Sequence, residues 1–145
     1  MMKEFTCIIC PRGCIIEIDT GEGLAMEKSR AEGGAGFEPT LERALASAAG
    51  MGCRRGADYV RQEIVNPMRT IATSAKVLGG TMQLVSVRTT KAIPKSLIRK
   101  VLSQAQALVL AAPVEAGRIL IAGVAGSESD IIATSSVPKA NEPQD

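Results

Sequence analysis

The chain has 145 residues, 46% of them apolar, and a formal net charge of +2. That is enough apolar material for one domain with a core, or for two small lobes. With no histidine, two Phe, one Tyr and no Trp, the chain lacks the usual acid–base residue. It also lacks the stacking aromatics that single-strand nucleic-acid binders interleave with basic residues, so nucleic-acid binding is not expected.

Taken in chain order, residues 1–20 read as an extended segment, a cysteine loop and a second strand, with Ile15, Ile16, Glu17, Ile18 and Asp19 partly alternating. No signal peptide is read at the start, and the apolar runs at 105–114 and 119–125 are too short or interrupted to span a bilayer. The expectation is therefore a soluble cytoplasmic protein with no membrane insertion. Residues 21–52 hold seven of the 14 glycines, among them Gly33, Gly34 and Gly36. This stretch reads as a decorated loop: a hairpin's return strand over 24–30, then a short helix from Pro39 to Ala49 with a thin stripe of Leu41, Leu45 and Ala48. Shortening such a loop is expected to change stability little. A helix over 57–65 follows, with Val60 and Ile64 on one face, and Asn66-Pro67 ends it.

The second half is more regular. Strands over 70–78 and 82–88 flank a Gly79-Gly80 turn. Pro94 opens an amphipathic helix to about Gln106, with Leu97, Ile98, Val101 and Leu102 inward. A short buried strand over 108–111 and two more over 119–124 and 130–134 complete the pattern. The fold class is α+β: a cysteine-rich metal lobe over 1–65, a body over 66–135 with β-hairpins and an amphipathic helix, and a disordered polar tail over 136–145. The lobe has few large apolar residues, so its order is expected to rest on the metal.

Cys7, Cys10 and Cys14 fall within eight residues, and Cys53 follows after 38 more. Three clustered thiols and one distant thiol suit a centre that needs several sulfurs converging on one place. In a reducing compartment such clustering favours metal or redox chemistry over disulfides. The three-plus-one split favours an iron–sulfur cluster over zinc, whose structural sites usually pair two CxxC knuckles. Arg12, Arg54 and Arg55 would offset the charge of a thiolate-bound cluster. A dithiol exchange site is the weakest alternative, because no helix follows Cys7 and Cys10. Charge is uneven: residues 54–100 carry ten Lys/Arg against two acids, while the flanking regions are each net acidic. A docking surface for an acidic partner, a site for phosphate-bearing ligands and a solvated face are all open readings of that excess.

The pattern Cys7-x2-Cys10-x3-Cys14…Cys53-x-x-Gly56 resembles the N-terminal 4Fe–4S lobe of molybdopterin-dependent oxidoreductases, whose large catalytic domains have no counterpart here. Over nearly the whole chain, the sequence is similar to a family of small bacterial domains of unknown function. The likeness lies in the stretch from Lys3 to Cys14, in Cys53-Arg54-Arg55-Gly56, Asn66-Pro67-x-Arg69, Val87-Arg88-Thr89, Ile93-Pro94-Lys95 and Ala112-Pro113-Val114. Such domains are often encoded beside FAD-dependent dehydrogenases of the glycerol-3-phosphate dehydrogenase type. The resemblance implies an accessory electron-transfer role, with Cys7, Cys10, Cys14 and Cys53 holding a 4Fe–4S cluster and a FAD-dependent dehydrogenase as partner. The alternative is a structural zinc module for protein interaction. No catalytic constellation stands apart from the cysteines.

Overall fold

The structure is a computed structural model that describes residues 1–21 and 37–140. The return strand expected over 24–30 and the glycines at 33–36 lie outside the described residues. The chain divides into two compact units, Met1–Pro67 and Met68–Asp145. The division falls where Asn66-Pro67 follows the second helix.

In the first unit, strands β1 (Met2–Thr6) and β2 (Ile15–Asp19) pair antiparallel, from Met2 opposite Asp19 to Thr6 opposite Ile15. The cysteine loop is the connection of this hairpin. Period-two alternation sends Ile16 and Ile18 inward, both fully buried. Helices α1 (Phe37–Ala46) and α2 (Arg54–Val65) supply the rest of the core through Leu41, Ala44, Leu45, Val60 and Ile64. An Arg61–Glu42 ion pair links the two helices. Three sequence expectations change here. The α1 stripe is not decoration, since Leu41 and Leu45 are buried with Ile16 and Ile18 in one cluster. The lobe therefore has an apolar core of its own, which the scarcity of large side chains had hidden. Helix α2 also begins three residues earlier than the periodicity suggested, directly after Cys53.

The second unit is built on a five-stranded sheet in the order β7-β4-β5-β9-β8. Its strands are β4 (Ala72–Leu78), β5 (Leu84–Thr89), β7 (Val109–Ala111), β8 (Ile119–Ile121) and β9 (Ile131–Ala133). A two-residue pair, β3 (Met68–Arg69) with β6 (Ile93–Pro94), stands apart. Helix α3 (Ile98–Gln106) packs Val101 and Ala105 into the same core as Ala75, Val77, Val85, Val87, Ile131 and Ala133. The mixture of helices and strands is α+β, as expected.

Three details of this unit differ from the sequence reading. Pro94 belongs to β6, and a 3-10 turn over Lys95–Leu97 leads into α3. The strand expected to be buried at 108–111 is an edge strand, parallel to β4, with Val109 57% exposed. The disordered tail expected from Ser136 is held as far as Ala140. Val137 is 1% exposed and bridges Val114, Lys139 bridges Gly80, and the Ala140 N–H donates to the Gly79 carbonyl at 2.9 Å. Polarity and proline content did not reveal that a single buried valine anchors this segment. Among the described residues, no helix is long and apolar enough to cross a membrane.

Candidate metal centre

The hairpin places three of the thiols. The Cys7 N–H donates to the Cys14 carbonyl at 2.8 Å, which extends the β1–β2 ladder by one step and closes residues 8–13 into a loop. A further bond, Gly13 N–H to the Cys10 carbonyl at 3.4 Å, tightens that loop. Cys7 sits at the loop base and is buried, while Cys10 and Cys14 are half-buried.

The fourth thiol arrives by a different route. The segment after α1 runs antiparallel to β2: Glu17 and Ala49 exchange both backbone bonds, at 3.1 and 2.9 Å. Gly50, with φ +75°, then turns tightly against the Ile15 carbonyl, where any Cβ would collide with that oxygen. Gly52 lies against the Cys14 side chain, and a Cβ there would stand 2.9 Å from Cys14 Sγ and 3.4 Å from an Arg12 guanidinium nitrogen. Cys53 follows as the N-cap of α2 and is exposed. A short pairing with β2 thus brings Cys53 towards Cys14.

All four cysteines line one cavity of about 230 Å³, together with Ile9, Arg12, Gly52, Arg55 and Gly56. All four are free thiols. The donor set is purely sulfur and two guanidinium groups face it, which suits a negatively charged, thiolate-bound group. Among the described residues, no three His, Cys, Asp or Glu side chains are gathered tightly enough to hold a metal ion. The structure thus brings the four predicted residues to one cavity but does not draw their sulfurs to a single point. Of the three predicted arginines, Arg12 and Arg55 line the cavity and Arg54 does not. Gly52 was missed by the sequence reading. Its adjacency to Cys53 was visible, but the contact with Cys14 needed the fold.

The Cys53 thiol is held below its ordinary value of 9.0, chiefly by the peptide N–H of Gly56, then that of Arg55, with a smaller contribution from the Arg55 side chain. Neither N–H completes a side-chain cap bond, and that of Gly56 also donates to the Cys53 carbonyl at 3.0 Å. A lowered thiol value favours the thiolate in the folded state. The associated stabilisation is present above the unfolded value and lost as pH falls through the folded one. In metal-free protein, iodoacetamide should therefore label Cys53 with a pH midpoint below that of the same thiol in denaturant. Coincident midpoints, read by mass spectrometry of the labelled peptide, would remove the role assigned to the start of α2.

No curated protein matches the chain. The NMR structure of Clostridium perfringens protein CPE0013 is similar over 55% of this chain and 92% of that one, at 19% identity and a TM-score of 0.44. Residues 54–135 match the family described as "Protein of unknown function (DUF1667)". The matched stretch begins directly after Cys53, so the four cysteines stand outside it, and it covers α2 and the second unit's sheet. On that match, the chain belongs to the DUF1667 family of proteins of unknown function.

Proposed function

We propose that this is a small iron–sulfur protein that carries electrons to or from a flavin-dependent dehydrogenase. The observation that carries the reading is the single cavity lined by Cys7, Cys10, Cys14, Cys53, Arg12 and Arg55. A structural zinc ion requires its sulfurs about 2.3 Å from one point. A cubane cluster assigns each thiolate to a different iron, so thiols ranged around a cavity are closer to its demand. The cavity volume, about 230 Å³, is room for several atoms beyond one ion. Cys7, Cys10 and Cys14 would hold the group from the hairpin loop and Cys53 from the start of α2. Such a cluster supplies one-electron transfer, with a potential tuned by charge, hydrogen bonds and exposure. Arg12 and Arg55 would favour its reduced, more negative state. The flavin partner rests on the family likeness of the sequence and on the basic charge carried by residues 54–100.

The test is the composition of anaerobically purified protein, expressed with adequate iron. Iron and acid-labile sulfide in near-equal amounts, with a broad brown visible absorption bleached by dithionite, are expected. Stoichiometric zinc without iron would replace this reading with a structural zinc module.

A further inference from the structure

The surface around the thiol cavity has a composition that the cofactor alone does not require. On the cysteine loop, Ile8 is 75% and Ile9 is 47% exposed, although both are large aliphatic side chains. Ile9 also lines the cavity. Arg12, Arg54 and Arg55 are exposed. The two segments that bear the thiols, 5–16 and 49–57, contain no Asp or Glu. Among the described residues, no carboxylate pairs with Arg12, Arg54 or Arg55. Two consecutive large aliphatic side chains left in water, with arginines that have no carboxylate partner on the same thiol-bearing segments, give this surface an apolar centre and a basic rim.

We infer that the surface at the thiol cavity, with Ile9, Arg12 and Arg55 lining the cavity and the exposed Ile8 and Arg54 next to them in the chain, is the docking face for an acidic protein with an apolar centre. The chemistry of the occupant follows from charge complementarity. A second copy of this chain is disfavoured, because a two-fold contact through this face would set arginines against arginines. An acidic partner is steered in by the same charges, and the isoleucines then exclude water at the contact. Cys53 is the most exposed of the four thiols, so docking here would place a partner's redox group beside the centre. This deepens the electron-carrier reading and rests on it for its purpose, but the docking itself does not depend on the metal.

Two purified proteins serve as probes: flavodoxin, a small acidic flavoprotein, and cytochrome c, a basic one-electron carrier. Affinity for each is measured at low and physiological salt, with iron content and sedimentation determined on the same samples. Flavodoxin should bind at low salt and weaken at least tenfold at physiological salt, because exposed charges are screened over about 8 Å there. Arg54→Gln/Arg55→Gln should weaken low-salt binding tenfold or more. Ile8→Ser/Ile9→Ser should weaken it at both salt concentrations while leaving the unfolding midpoint in place. Cytochrome c binding as tightly as flavodoxin would overturn the inference. So would an absence of flavodoxin binding by iron-loaded protein, an affinity unchanged in both variants, or a homodimer that Ile8→Ser/Ile9→Ser dissociates. Flavodoxin binding of this kind by protein that takes up no iron even when expressed and purified anaerobically with adequate iron would sustain the docking face and reject electron carriage instead.

Discussion

Leu41→Ala should destabilise the first unit by about 2–5 kcal/mol, the cost of removing a fully buried leucine and leaving a cavity behind it. Leu41 is completely buried in the cluster formed by Ile16, Ile18, Leu45, Val60 and Ile64. The loss spans every element of the unit, because β2, α1 and α2 all contribute to that cluster. The second unit has a separate core, so denaturant unfolding followed by amide exchange should show faster exchange over 1–67 with residues 70–134 unchanged. If α1 were only a decoration on a long loop, the substitution would cost a few tenths of a kcal/mol, and a shift that small would contradict the packing described here. The same logic limits loop shortening: residues between the two cysteine-bearing segments can be trimmed only if α1 is kept.

Gly52→Ala is expected to prevent the fourth thiol from sharing the cavity. The added Cβ would stand 2.9 Å from Cys14 Sγ, nearer than carbon and sulfur approach without repulsion. Arg12 is long and can swing away. Cys14 has one rotatable bond, so it yields only by turning its sulfur out of the cavity or by lifting residues 49–53 off β2. Iron retained after gel filtration should fall at least tenfold, while the unfolding midpoint of the second unit stays constant. Gly50→Ala should act through the backbone instead. Its φ of +75° costs a side chain about 1–2 kcal/mol, and the collision with the Ile15 carbonyl would break the Glu17–Ala49 pairing as well. Gly52→Ala protein that retains its full complement of iron would show that Cys14 does not need the position it holds here.

The sequence was most legible where periodicity and punctuation agree. Alternation in Ile15–Asp19 announced β2 and its inward residues. Asn66-Pro67 announced the end of α2, and Gly79-Gly80 announced the β4–β5 turn. Cysteine spacing named four residues that the fold brings to one cavity. What stayed hidden depends on contacts between distant segments. The start of α2 at Arg54 was obscured because Arg54-Arg55-Gly56 carries no apolar period and Cys53 is an unusual N-cap. Leu41 and Leu45 looked like a thin stripe because the hairpin residues that cover them lie more than 20 positions away. The edge character of β7 was invisible, since a three-residue apolar run reads the same at the edge or the centre of a sheet.

The anchoring of Val137 against Val114, with Lys139 and Ala140 bound to Gly80 and Gly79, also bears on when each unit can form as the chain is synthesised. The first unit has its whole core once residue 64 has left the ribosome. The second cannot close before residues 137–140 emerge, because they supply a buried side chain and the last backbone partners of a turn made some 60 positions earlier. The β4–β7 pairing likewise waits for α3 to cross over. During that interval the first unit is complete while β4 and β5 form a two-stranded hairpin, which is marginal in water by itself. Aggregation during synthesis should therefore originate in residues 68–136, while the cysteine-bearing unit is already folded around its own core.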